Sequence, residues 1–377
     1  MSAKSKFVAS SFVATGIVSI VALASPVAGC SSSSDGAAGM NMDGGMDMDG
    51  MGGNGAAPSS TPIAEITGDA VYVVNGGDNS ISVIDPGPNK VIGTIMLKNA
   101  MYPHHIYLSH DKSMLALAVP GMDMSGGHQG AMDGMHGAVM VLDAKTGATM
   151  TSTMLDQVNH NAIFSADDTE IWTTQMMMGG KVLVLDAMKL TTKATIDVGD
   201  MPAEVTFSPD NKLAFVANGM SNNVSVIDVA TKKVLKTVSV GNDPVVPNPG
   251  TDGKMYVDCE EGKQVAVVDP ASQTVTLTYN LGFTPGMART TPAGTELWVT
   301  DGDNGKVVFD MVGQDKKMGE AATGAGAHGI AFSADGRTGY VTNQGAGTVS
   351  VIDVSTHKVT ATIQVGAKPN GLAFRSK

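Results

Sequence analysis

Val83-Ile84-Asp85, Val141-Leu142-Asp143, Val184-Leu185-Asp186, Val226-Ile227-Asp228, Val267-Val268-Asp269, Val308-Phe309-Asp310 and Val351-Ile352-Asp353 are seven copies of one strand ending. Successive aspartates lie 58, 43, 42, 41, 41 and 43 residues apart, a spacing that matches one four-stranded propeller blade with its turns. The first interval alone is long, so an insertion is predicted there.

Working outward from the fourth copy, Met201 to Gly241 reads as one unit. A first strand follows Pro202 and runs to Ser208, and Pro209-Asp210-Asn211 turns into a second at Leu213–Asn218. A third covers Val224–Asp228 and a fourth Lys233–Val240. Asp228 reads as an Asx-turn former rather than a catalytic carboxylate. Third strands such as Val224-Ser225-Val226-Ile227 lack clean apolar–polar alternation, as strands covered on both faces do. The folded part opens on a second-type strand, Val71-Tyr72-Val73-Val74-Asn75, and the sequence finishes on a first-type strand, Pro369 to Phe374. The last strand therefore completes the first blade and removes an open edge. The predicted class is all-β, a seven-bladed β-propeller over residues 63–377.

Tyr340-Val341-Thr342-Asn343, with near copies at Tyr72-Val73-Val74-Asn75 and Phe215-Val216-Ala217-Asn218, resembles the second strand of the YVTN family of propeller repeats. The likeness spans residues 69 to 377. It implies the fold and leaves function open, because such propellers include surface proteins, binding proteins and cofactor-carrying relatives.

Ahead of the repeats, Lys4 and Lys6 precede an apolar run from Phe7 to Leu23, the order of a secretory signal peptide. Val27-Ala28-Gly29-Cys30 resembles the lipobox of bacterial lipoproteins, which implies lipidation of Cys30 and an extracytoplasmic chain anchored to a bacterial membrane. Ordinary cleavage near Ala28 is the alternative. The expected organisation is a signal peptide over 1–29, a lipidated linker over 30–62 and the propeller beyond it. Cys259 is the only other cysteine and reads as a small buried hydrophobe, so no internal disulfide is expected once Cys30 is lipidated. A formal charge of -12 with 24 Lys and Arg argues against a nucleic-acid partner, and a monomer is expected.

Two segments are rich in methionine. Residues 36–55 carry Met40, Met42, Met46, Met48 and Met51 among Gly, Asp and Asn; the insertion at 120–137 carries Met122, Met124, Met132 and Met135 with His128 and His136. Together they hold 9 of 26 methionines in 38 residues, too concentrated for the gap-filling role that suits Met96, Met140 and Met150. A thioether is a soft ligand at any pH, so Met beside His outside the cytoplasm points to Cu(I), and the segments resemble the Met-rich stretches of periplasmic copper-resistance proteins. A plain low-complexity tether is the alternative.

Aligning first strands on Ser109, Ser165, Ser208 and Ser333 puts His104, His160, Ala203 and His328 in one register, with Val245, Gly286 and Asn370 from the less regular blades. His105, Asn161 and Glu204 stand one step on. First strands line a propeller's channel, so these imidazoles converge on the axis, where they could bind a soft or borderline metal or simply satisfy polar groups around water. Copper is thus the expected cofactor, through His104, His105, His160 and His328. A non-catalytic interaction scaffold and an enzyme with Glu204 as general base are the rival readings. No nucleophile elbow, dinucleotide-binding Gly pattern or phosphate loop is present.

Overall fold

The computed structural model describes residues 55–125 and 134–377, in which every regular element is a strand. The expected signal peptide, Cys30, Met40, Met42, Met46, Met48, Met51, His128 and Met132 lie outside the described residues. No described helix is long and apolar enough to cross a membrane.

Seven antiparallel sheets form the blades of a β-propeller. Six have four strands. The blade that holds both ends has five, in the order Ser59–Thr61, Lys90–Lys98, Ser80–Asp85, Ala70–Asn75 and Pro369–Arg375. The last strand does complete the first blade, with Val71 opposite Phe374 and Val73 opposite Leu372. Ser59–Thr61 falls inside the segment expected to be linker. It adds to the outer edge strand, and Ser60 bonds to Thr149 and to the Gly147 carbonyl of the next blade. Three small hydroxyl residues carry no alternating pattern, so this strand had no signature in the sequence.

In the unit read first, the strands are Pro202–Phe207, Leu213–Asn218, Asn223–Asp228 and Lys233–Ser239. Second and third strands are buried on both faces and supply the core, while fourth strands face solvent. Neighbouring blades interlock through large side chains: Trp172 meets Phe207 and Trp298 meets Phe332. Turn chemistry repeats as well. The Oδ1 atoms of Asp85, Asp143, Asp186, Asp228, Asp269 and Asp353 accept backbone N–H groups two or three residues on; Asp310, at the end of a longer hairpin, is buried instead.

A second regularity positions the site. In the first strand, Pro202 pairs with Asn218 and the next pair is Val205 with Val216, so Ala203 and Glu204 stand opposite Ala217 alone. That is a β-bulge, and the same shift falls after Pro244, Pro285 and Ala327. In the second blade His104 N donates to the Ala118 carbonyl and Ala118 N donates to that of His105, again two residues against one. Each bulge turns two consecutive residues out of the ladder at the inner edge of its blade. His104, His105, His328 and Glu204 occupy these positions.

Threonines on second strands tie the bulges together. Thr174, Thr300 and Thr342 donate to the carbonyls of Ala203, His328 and Asn370 in the following blade. The fifth blade has Asp258 in that place. It is fully buried beside the Val246 N–H, yet neither carboxylate oxygen makes a full hydrogen bond. Burial, then the nearby charges of Glu260 and Glu204, push its pKa well above the usual carboxylate range. A raised folded pKa means that the native state binds the extra proton, so this group costs stability as pH climbs from the unfolded carboxylate value through the folded one. Asp258→Thr restores the donor and acceptor that three other blades use. We expect it to raise stability at pH 7 by about 1–3 kcal/mol, with the gain vanishing near pH 3, as read by thermal melts across pH.

Candidate metal centre

The bulges of the second and fourth blades meet the residues just before the first strand of the third, Ala162–Phe164, at the axis. His104, His105 and His160 each present a ring nitrogen within 4.8 Å of the others, and all three are buried. His104 Nε2 and His160 Nε2 are 3.1 Å apart. Two nitrogens bound at about 2.0–2.1 Å to one ion at a tetrahedral angle lie about 3.3 Å apart, so the spacing already suits a shared metal. His328 stands farther off, its ring centroid 6.1 Å from those of His104 and His105, on the wall of a cavity of about 400 Å³.

Glu204 backs the cluster and is fully buried. Its Oε1 lies 3.1 Å from both His105 Nε2 and His160 Nδ1, while Oε2 accepts from the Tyr107 hydroxyl at 2.7 Å and from Asn161 Nδ2 at 3.3 Å. A carboxylate only accepts, so in the neutral tautomer His160 Nδ1, which is hydrogen-bonded to it, carries the proton. His160 Nε2 is then the lone-pair nitrogen. A carboxylate behind a histidine is the usual outer support of a metal-binding imidazole, fixing both tautomer and ring orientation. Burial and the Glu204 charge push the Tyr107 phenol well above its usual range, which keeps its proton on the oxygen as a donor. Asn370, in the closing strand, contacts His104 Nδ1. Beside it Gly371 cannot take a side chain, because a Cβ there would sit 2.7 Å from His105 Cα.

The insertion lies between the second and third strands of the second blade, Met114–Val119 and Ala138–Asp143. Its methionines were read as too concentrated for gap-filling, but Met122 and Met135 pack with buried Met124, Val158 and Met176 and with Met201. Val158, Met176 and Met201 come from loops before, within and after the third blade, so only the tertiary fold supplies them. Met124 also lines the cavity that holds His328, and Lys368 pairs with Asp123. Cys259 is fully buried, its thiol pushed up to about 12 by desolvation, which makes it a poor ligand or nucleophile.

Sequence reading placed Glu204 beside the histidines without its role and passed over Tyr107 and Asp258. Tyr107 is two residues beyond His105, the period that puts strand side chains on one face. Asp258 could have been found by laying Tyr256-Val257-Asp258-Cys259 over Tyr340-Val341-Thr342-Asn343.

These features define the class: a seven-bladed β-propeller with a buried histidine–carboxylate cluster on its axis. No family model matches the chain, and no curated protein matches it. Solved structures do. A periplasmic gluconolactonase of Pseudomonas aeruginosa superposes with a TM-score of 0.67 at 19% identity, covering 82% of this chain and 99% of that one. A protein of unknown function from Desulfotomaculum acetoxidans gives 0.68 at 13%, over 81% and 99% of the two chains. A dihydro-heme d1 dehydrogenase gives 0.61 at 13%, over 84% and 79%. At such identities the likeness is one of fold.

Proposed function

We propose that this protein is a membrane-tethered, extracytoplasmic propeller that holds copper at His104, His105 and His160. The observation that carries the reading is the set of three buried imidazoles within 4.8 Å, two of them held by one buried carboxylate. Imidazole suits copper among other borderline metals, and the Met-rich segments add soft ligands that favour Cu(I). Extracytoplasmic placement and the lipid anchor rest on Lys4, Lys6, the Phe7–Leu23 run and the Val27–Cys30 lipobox. A general-base role for Glu204 is disfavoured, since its two oxygens already face four donors and a base must accept a substrate's proton.

Metal analysis and Cu(I) titration of soluble protein carrying Cys30→Ser test the proposal. We expect the parent to hold one tightly bound equivalent more than the His104→Ala/His160→Ala double variant. Equal binding by parent and double variant would overturn the axial site, and none by either leaves a tethered interaction scaffold as the better account.

A further inference from the structure

A second cavity, of about 490 Å³, opens at the base of the insertion, away from the three axial histidines. Met101, Met135, Met154 and His136 line it together with Asp156. Met101 and Met154 are 39% and 40% exposed, so they fill no core, and the ordinary explanation of a methionine does not cover them.

Backbone hydrogen bonds bring these residues together. Gly121 N donates to the Met101 carbonyl, which ties the outgoing limb of the insertion to the loop before the second blade. Leu155 N donates to the Gly137 carbonyl, which ties the returning limb to the end of the fourth strand beside Met154. The two limbs touch at Gly121, whose φ is +82° and whose missing Cβ would stand 2.5 Å from the His136 carbonyl oxygen. No other residue fits there.

His136 is oriented as well. Its Nδ1 lies 3.2 Å from the Leu155 carbonyl oxygen, which can only accept, so Nδ1 carries the proton and Nε2 the lone pair. Such a carbonyl contact is a common support for a metal-binding imidazole. Three thioethers and one imidazole line this one cavity and offer soft donors, with Asp156 beside them.

We propose that Met101, Met135, Met154 and His136 form a second metal site, one that takes a soft monovalent cation, Cu(I) or Ag(I). Met135 also packs with Met122 and with buried Met124 and Met176, and Met124 lines the cavity of His328. The rim site therefore stands at the outer end of a run of thioethers that leads toward the channel. Its role as an entry point to the axis rests on the copper reading above; the binding itself does not.

The test is an Ag(I) titration of the full chain carrying Cys30→Ser, with methionine methyl groups labelled with carbon-13 and followed by NMR. The methyls of Met101, Met135 and Met154 are expected to shift together as the first equivalent is added. Exposed Met178, Met188 and Met220 serve as controls that stay in place. Met101→Leu/Met154→Leu, close in volume and half exposed, should fold as the parent does and weaken this binding at least tenfold. The same shifts should persist in the His104→Ala/His160→Ala protein, which separates the rim site from the axial one. Shifts no earlier than those of the control methyls, no shift at all, or unchanged affinity in the leucine variant would overturn the proposal.

Discussion

A chain ended at Lys368 is expected not to fold cooperatively. The loss removes Pro369–Arg375, which pairs with Ala70–Asn75 and closes the ring. Leu372 leaves a core cluster that contains Val71 and Val73, and those two side chains lose their cover. Each such burial is worth about 1.5–3 kcal/mol, and the freed ladder adds unpaired backbone groups at an open edge. The total reaches about 5 kcal/mol or more, comparable to the whole stability of an ordinary domain. Circular dichroism and urea titration of the truncated chain beside the parent would check it. A sharp transition with a midpoint near the parent's would show that the seven-blade ring does not depend on its closure. The axial centre should suffer as well, because Asn370 and Gly371 belong to the lost strand.

Replacing Glu204 should give the largest effect of any single side chain at the axis. Glu204→Leu leaves His105, His160, Tyr107 and Asn161 aimed at an apolar group in a fully buried site. Breaking a buried, hydrogen-bonded charge cluster on one side costs about 3–5 kcal/mol. Glu204→Gln keeps the shape but turns one acceptor into a donor against donors already in place. It should cost less stability and weaken copper binding about 10- to 100-fold, the usual penalty for losing the group behind a metal-binding histidine. Thermal unfolding without metal and Cu(I) competition titration read the two effects separately. Parent-like affinity in the glutamine variant would mean that Glu204 is only structural.

The recurring Val-Ile-Asp ending, the near-constant interval and the complementary first and last strands were enough to specify seven blades closed by strand exchange. Each blade is a local unit, its turns fixed by residues two or three apart, such as Asp228 with Thr231. The register of His104, His160 and His328 was legible for the same reason, since one repeat position maps onto one height along the axis. How near they come was not. The first two share a 3.1 Å contact while the ring centroid of His328 is 6.1 Å from that of His104, a difference set by which blades adjoin.

Thus the sequence alone determined the fold, the blade count and the ring of axial candidates, because periodic patterns and turn residues act over short stretches of chain. Only the tertiary structure decided that Glu204 joins His105 to His160 across three blades, that Asp258 takes a threonine's place, and that the insertion's methionines pack with Met176 and Met201 and share a cavity with Met101 and Met154. Those contacts link residues tens of positions apart through the curvature of a closed ring, and no local pattern encodes such a meeting.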